Sequence, residues 1–177
     1  PPLSRTTERG LWLLGTIALA LTLLATLLPA RLVVQGRSVQ SVPLTLGLQV
    51  PAPTRWQAGA LVAFRSRALP PYYPAGTRFT KAVAAVPGDR VVRLGRDFYI
   101  NGRAVAHAQE TDSKGRPASV FTPPPLSRPL CHQSLIARRS CRESAASLVP
   151  DNALFVLGTH ARSFDSRYWG FVTEKEV

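Results

Sequence analysis

Residues 79–102 read FTKAVAAVPGDRVVRLGRDFYING, and this stretch decides the fold class. It holds three short β-prone runs, each closed by a turn. Phe79 to Val86 is stopped by Pro87-Gly88-Asp89, Arg90 to Leu94 follows, and Phe98-Tyr99-Ile100 runs into Asn101-Gly102. Asn-Gly between two such runs is a strong hairpin signal, since both residues tolerate the left-handed backbone of a tight turn. Working outward, Leu61-Val62-Ala63-Phe64 reads as an earlier strand, ended by Arg65 and the Pro70-Pro71 break. Ala153 to Gly158 and Gly170 to Thr173 read as late strands. The 16 prolines and 12 glycines argue for short segments joined by turns and against a helical bundle. The expectation is an all-β antiparallel domain.

A different pattern occupies the N-terminal part. Gly10 to Ala30 contains no charged residue and is rich in Leu and Ala. Those 21 residues, at a rise of about 1.5 Å each, would span roughly 31 Å as a helix, the thickness of a bilayer's hydrocarbon core. Trp12 stands near one end, where its amphipathic ring suits the interface, and Pro29 near the other. The alternative, a cleaved secretory signal, has an apolar core of about 7–15 residues, shorter than this one. The expected organisation is a short tail at 1–9, a transmembrane anchor at 10–31 and an extracytoplasmic β domain at 32–177. Arg5 and Arg9 flank the anchor on one side and Arg31 and Arg37 on the other, so basic flanks do not orient it.

Between Ala106 and Pro150 no periodicity survives, and 106–150 reads as a long surface excursion. It carries Pro123-Pro124-Pro125 and both cysteines, Cys131 and Cys141. Three states are open to the pair: a disulfide, free thiols, or, with His132, a metal site. The spacing matches no zinc pattern, so no metal is expected. A disulfide would place the domain outside the cytoplasm, which supplies the missing orientation. The net charge of +12 points to a negatively charged partner, such as anionic lipid or an acidic surface. Nucleic acid is not expected, because the basic residues are scattered without the interleaved aromatics of a single-strand binder.

Five motifs in order then carry a resemblance. They are Ser41-Val42-Pro43 after the apolar span; Gly59-Ala60-Leu61-Val62-Ala63-Phe64; the run from Lys81 to Val91; Phe98-Tyr99-Ile100-Asn101-Gly102; and Ser163-Phe164-Asp165-Ser166-Arg167-Tyr168-Trp169-Gly170. Together the set resembles the type I signal peptidases, serine endopeptidases with a Ser-Lys dyad, across most of residues 38 to 172. The resemblance implies an antiparallel β fold of the LexA/signal-peptidase type behind one N-terminal transmembrane helix. It also implies a single-pass protein of the inner (cytoplasmic) membrane, with its catalytic domain on the periplasmic side.

The residues support that chemistry independently. A serine hydroxyl needs an adjacent base to attack at neutral pH. A lysine can be that base only if burial disfavours its ammonium, since its free pKa is near 10.4. Of the three lysines, against 19 arginines, only Lys81 lies inside an apolar run. Arginine could not take its place, because guanidinium does not deprotonate in proteins. The expected pair is therefore Ser41 as nucleophile and Lys81 as general base. The resemblance implies that Ser163 hydrogen-bonds and orients Lys81, and that Asp165 and Arg167 form an ion pair shaping the site. The Ser41 backbone N–H would hold the oxyanion. Relatives add a serine hydroxyl two positions before the nucleophile; here Val39 stands there, with Ser38 one step back as a second donor. Val42 and Pro43 are expected to contact substrate. A Ser41-His160-Asp165 set is the competing arrangement, and it would leave the lysine motif unexplained.

Within the family, Ala82-Val83-Ala84-Ala85-Val86 and the cysteine pair look more like the TraF-type conjugative-transfer peptidases than the housekeeping enzyme. That likeness implies maturation, and in at least one type circularisation, of a conjugative pilin precursor. The alternatives are general removal of signal peptides and a non-enzymatic bitopic scaffold of a secretion or DNA-transfer channel. Membrane lipids and pilin or signal-peptide-bearing precursors are the expected partners. No cofactor is required.

Overall fold

The computed structural model describes residues 5–27, 31–34, 41–42, 46–124 and 144–177. They fall into two compact units: residues 5–27, 31–34 and 46–52 in the first, and residues 41–42, 53–124 and 144–177 in the second.

In the first unit, α1 (Arg5–Leu27) begins five residues before the uncharged stretch and runs for 23 residues. Its threonine hydroxyls are satisfied within the helix: Thr16, Thr22 and Thr26 donate to the carbonyls of Leu13, Ala18 and Leu23. Leu11, Trp12, Leu13, Leu14, Ile17 and Leu19 all stand exposed. Among the described residues, no helix is long and apolar enough to cross a membrane. The unit also holds a two-stranded antiparallel ribbon, β1 (Arg31–Val34) with β2 (Leu46–Gln49), in the register Arg31↔Gln49 to Val34↔Leu46. Leu32, Leu46 and Leu48 stand out from it into solvent.

The second unit is antiparallel β. Its strands are β3 (Leu61–Arg65), β4 (Arg78–Ala85), β5 (Arg90–Leu94), β6 (Asp97–Ile100), β7 (Arg103–His107), β8 (Ser144–Leu148), β9 (Ala153–Leu157) and β10 (Val172–Thr173). They build two four-stranded sheets among the described residues, in the orders β10-β9-β4-β3 and β7-β6-β5-β8. The Asn101-Gly102 signal is the β6–β7 turn, with φ of 50° and 85°, both in the left-handed region that Asn and Gly reach most easily. One apolar cluster gathers Ala85, Val91, Phe98, Ile100 and Phe155; a second gathers Val62, Phe64, Val83, Leu154 and Val156.

β4 supplies residues to both clusters, and its alternation places the site. Strand side chains point to opposite faces with period two, so Lys81, Val83 and Ala85 share the inward face, and all three are buried. Val62 on β3 lies opposite Lys81, and Leu157 on β9 lies opposite Ala82. The register between β4 and β9 slips between Val83 and Ala85, and such a bulge re-aims a strand locally.

Within 106–150, the described residues 106–124 and 144–150 are more ordered than their sequence suggests. Ser144–Leu148 pairs along the whole of β5, from Arg90↔Leu148 to Leu94↔Ser144. Ser-Ala-Ala-Ser-Leu has small side chains and no apolar alternation, so its strand character comes from its partner and not from local preference. Residues 110–118 form a tight turn. There the Asp112 carboxylate accepts the N–H groups of Lys114 and Arg116, and Ala118 N–H returns to Glu110 O. Cys131 and Cys141 lie outside the described residues.

Candidate active site

Lys81 anchors the site because the strand leaves its side chain no other direction. It is 1% exposed, and its Nζ lies 2.6 Å from Ser41 Oγ and 2.8 Å from Ser163 Oγ. Burial pushes its pKa down from the usual lysine value to about 8; the nearby Asp165 opposes that shift and Arg167 adds to it. A neutral amine has one lone pair and two hydrogens. At this spacing the lone pair can face the Ser41 hydroxyl while an N–H donates to Ser163 Oγ.

Ser41 is held from the β9 end. Its carbonyl accepts the Thr159 backbone N–H at 2.7 Å and the Thr159 hydroxyl at 3.2 Å. Ser163 follows the turn leaving β9, where its own N–H reaches His160 O at 2.9 Å. The short helix α2 (Ser166–Trp169) starts next, and Asp165 caps it by accepting the Arg167 N–H at 3.2 Å.

Asp165 and Arg167 lock this corner. Arg167 Nε and Nη2 each lie 2.8 Å from one Asp165 oxygen, a bidentate pair with both residues buried. The remaining guanidinium donors reach the carbonyls of His107, Ala161 and Ser163 at 2.7, 2.9 and 2.9 Å. Asp165 Oδ2 also accepts the Gly158 N–H at 2.9 Å. Burial alone would lower the Arg167 pKa, but the hydrogen bonds and charge of Asp165 outweigh it and raise it.

A sequence profile described as signal peptidase, peptidase S26, matches residues 7–177. The chain belongs to the S26 signal peptidase family. It is therefore a serine peptidase of the signal peptidase I type, and its substrate class is the signal-peptide-bearing precursor. Among solved structures it is similar to a signal peptidase I from Enterococcus faecalis V583, at 29% identity over 71% of this chain and 96% of that one, with a TM-score of 0.37. No curated protein matches it.

For this S26 peptidase the structure brings Ser41, Lys81, Ser163, Asp165 and Arg167 into one connected network. Val42 is 1% exposed and so offers almost no surface to a substrate, contrary to expectation. Ser38 and Pro43 lie outside the described residues. His160 is exposed, and its Nδ1 accepts the Arg162 N–H at 3.1 Å. Asp165 is bound to Arg167 and Gly158, so among the described contacts no Ser-His-Asp relay forms.

Two residues escaped the sequence reading. Thr159 fixes the Ser41 backbone through a contact 118 positions long, which no local pattern reports. Gly158 does so by having no side chain. A Cβ there would sit 2.0 Å from Ser163 Oγ and 2.9 Å from Ser41 O. Gly158→Ala is accordingly expected to fold yet lose at least about 100-fold in kcat, since ångström-scale displacement of reacting groups costs about that much. Steady-state kinetics beside a thermal melt checks this; activity within about threefold of wild type would show that Ser163 needs no fixed position.

Proposed function

We propose that this chain is a membrane-anchored endopeptidase in which Ser41 is the nucleophile and Lys81 its general base. It would act on exported precursors at the periplasmic face of the inner membrane, with a conjugative pilin precursor as its substrate. The observation carrying this reading is the lysine amine, buried and placed between two serine hydroxyls at 2.6 and 2.8 Å. In that arrangement the neutral Lys81 amine takes the Ser41 proton as Oγ attacks the scissile carbonyl. Lys81 then returns the proton to the departing amine, leaving an acyl-enzyme on Ser41. The Ser41 backbone N–H would face the oxyanion, with the Ser38 hydroxyl as its partner. Ser163 keeps Lys81 in line, and the Asp165–Arg167 pair fixes the loop that carries Ser163.

The anchor is supported by the sequence from Gly10 to Ala30, 21 residues without a charge, of which α1 as described covers 10–27. An anchored site favours a substrate held in the same membrane. Pilin maturation is supported by the run after Lys81 and by the cysteine pair. General signal-peptide removal is the second reading, favoured by the family itself.

The test uses membranes holding the full chain, with a pilin precursor and a signal-peptide protein as substrates for the wild type and Ser41→Ala. Pilin cut by the wild type alone is the expected result. Mass spectrometry then separates a linear product from one lighter by a water, the mark of circularisation. Cleavage of the signal-peptide protein alone would replace pilin maturation with general processing.

The pH profile gives a further check. The base must be neutral, so kcat/KM should be low at pH 6, rise about tenfold per unit, and level off above about 8, the Lys81 value. A rate already flat between pH 5 and 7 would exclude Lys81 as the group that titrates.

A further inference from the structure

Beside Ser41 and Ser163 opens a cleft of about 550 Å³ whose walls include Tyr72, Tyr73, Phe164 and Tyr168. We propose that this cleft is a subsite for one aromatic side chain of the substrate polypeptide, with Phe164 as its principal contact. The proposal rests on the peptidase reading of Ser41 and adds a substrate preference to it.

The rings form a continuous aromatic wall. Phe164 lies 4.9 Å from Tyr72, 5.6 Å from Tyr73 and 5.6 Å from Tyr168, the last nearly parallel at 19°. Two of the three tyrosine hydroxyls are already engaged. The Tyr72 hydroxyl donates to Asp112 Oδ2 at 3.2 Å, and the Tyr168 hydroxyl accepts the Gln109 N–H at 2.9 Å. The aromatic side of the cleft offers ring edges and faces to another aromatic, while the rest of the lining, including Gln109, Thr111, Ser113, His160 and Arg162, is polar and suits the peptide backbone that carries it. Asp112 also lines the cleft, but it offers little to a cation. Its carboxylate accepts two backbone N–H groups, the Arg116 Nε and the Tyr72 hydroxyl.

Size and position agree. The volume lies within the range of pockets that enclose small ligands, well beyond what a methyl group would fill. An extended substrate sends alternate side chains to opposite faces. Small residues beside the scissile bond are therefore compatible with one large residue reaching this cleft. Ser41 itself lines the cleft, so its occupant belongs to the chain being cut.

The experiment measures binding, so that it does not depend on turnover. Full-length Ser41→Ala is titrated with capped, dye-labelled alanine peptides that carry a single Phe at each successive position. One position should bind about tenfold tighter than the all-alanine peptide. Ser119→Trp, a change at an exposed position of the cleft wall, should return that ratio to about one, as should Phe164→Ala. No favoured position, or a preference surviving Ser119→Trp, overturns the subsite. Cleavage of the same peptides by wild type is scored separately. Binding preference without cleavage would count against the peptidase reading and uphold the subsite; cleavage without preference would do the reverse.

Discussion

Lys81→Met should be inert and, at neutral pH, no less stable than the wild type. Both halves follow from one fact, an amine buried to 1% exposure on the inward face of a strand. With Lys81 as the proposed general base, its removal should lower kcat/KM by about four orders of magnitude, at the upper end of what positioned proton transfer supplies. Lys81→Arg should be equally inert, since a guanidinium keeps its proton at any pH at which the protein folds. The stability half comes from linkage. The folded pKa of about 8 lies below the usual lysine value of 10.5, so the unfolded chain holds the proton more tightly. Stability therefore rises with pH between about 8 and 10.5, and below 8 the full penalty is present. That penalty amounts to about 3 kcal/mol, and loss of the two hydroxyl contacts offsets part of it. Chemical denaturation at pH 7 measures the balance. A Lys81→Met protein that unfolds several kcal/mol more easily than wild type would mean the amine is a structural tie and not a stored cost.

How much of this was readable beforehand follows from where the information lies. The Asn101-Gly102 turn was legible because its cause is local: two residues tolerant of left-handed backbone between two β-prone runs. Lys81 was legible for a related reason. Of three lysines in an arginine-rich chain it alone lies in an apolar run, and the period of the strand carries it inward. β8 was not legible, because Ser144 to Leu148 has no pattern of its own and is a strand only through its pairing with β5. The pairing of β1 with β2 went equally unread. At the site, Ser163 and Asp165 came from resemblance alone; a serine and an acid two residues apart carry no local signal. Gly158 and Thr159 act through contacts that only the closed fold creates.

Arg167→Met should be the most damaging change to the fold itself, and its effect should depend on Asp165. In the native protein the guanidinium forms a fork on the carboxylate and ties three carbonyls, that of His107 at the end of β7 and those of Ala161 and Ser163 in the loop after β9. Taking it away leaves a fully buried Asp165 carboxylate with the Gly158 N–H and its helix-cap bond as remaining support. Breaking one side of a buried pair costs about 3–5 kcal/mol, so a melting point roughly 10 °C lower is expected. Activity should fall with it, because the Ser163 carbonyl loses a donor and the hydroxyl orienting Lys81 loses its fixed loop. The charge argument gives a second reading. Arg167 holds the Lys81 pKa down and Asp165 holds it up, so Arg167→Met should shift any residual pH profile to the alkaline side and Asp165→Asn to the acid side. Asp165→Asn combined with Arg167→Met removes both charges together and should unfold less readily than Arg167→Met alone. If the double variant is instead as unstable as the sum of the singles, the two residues are independent braces, and the loop carrying Ser163 is held by the carbonyl contacts and not by the ion pair.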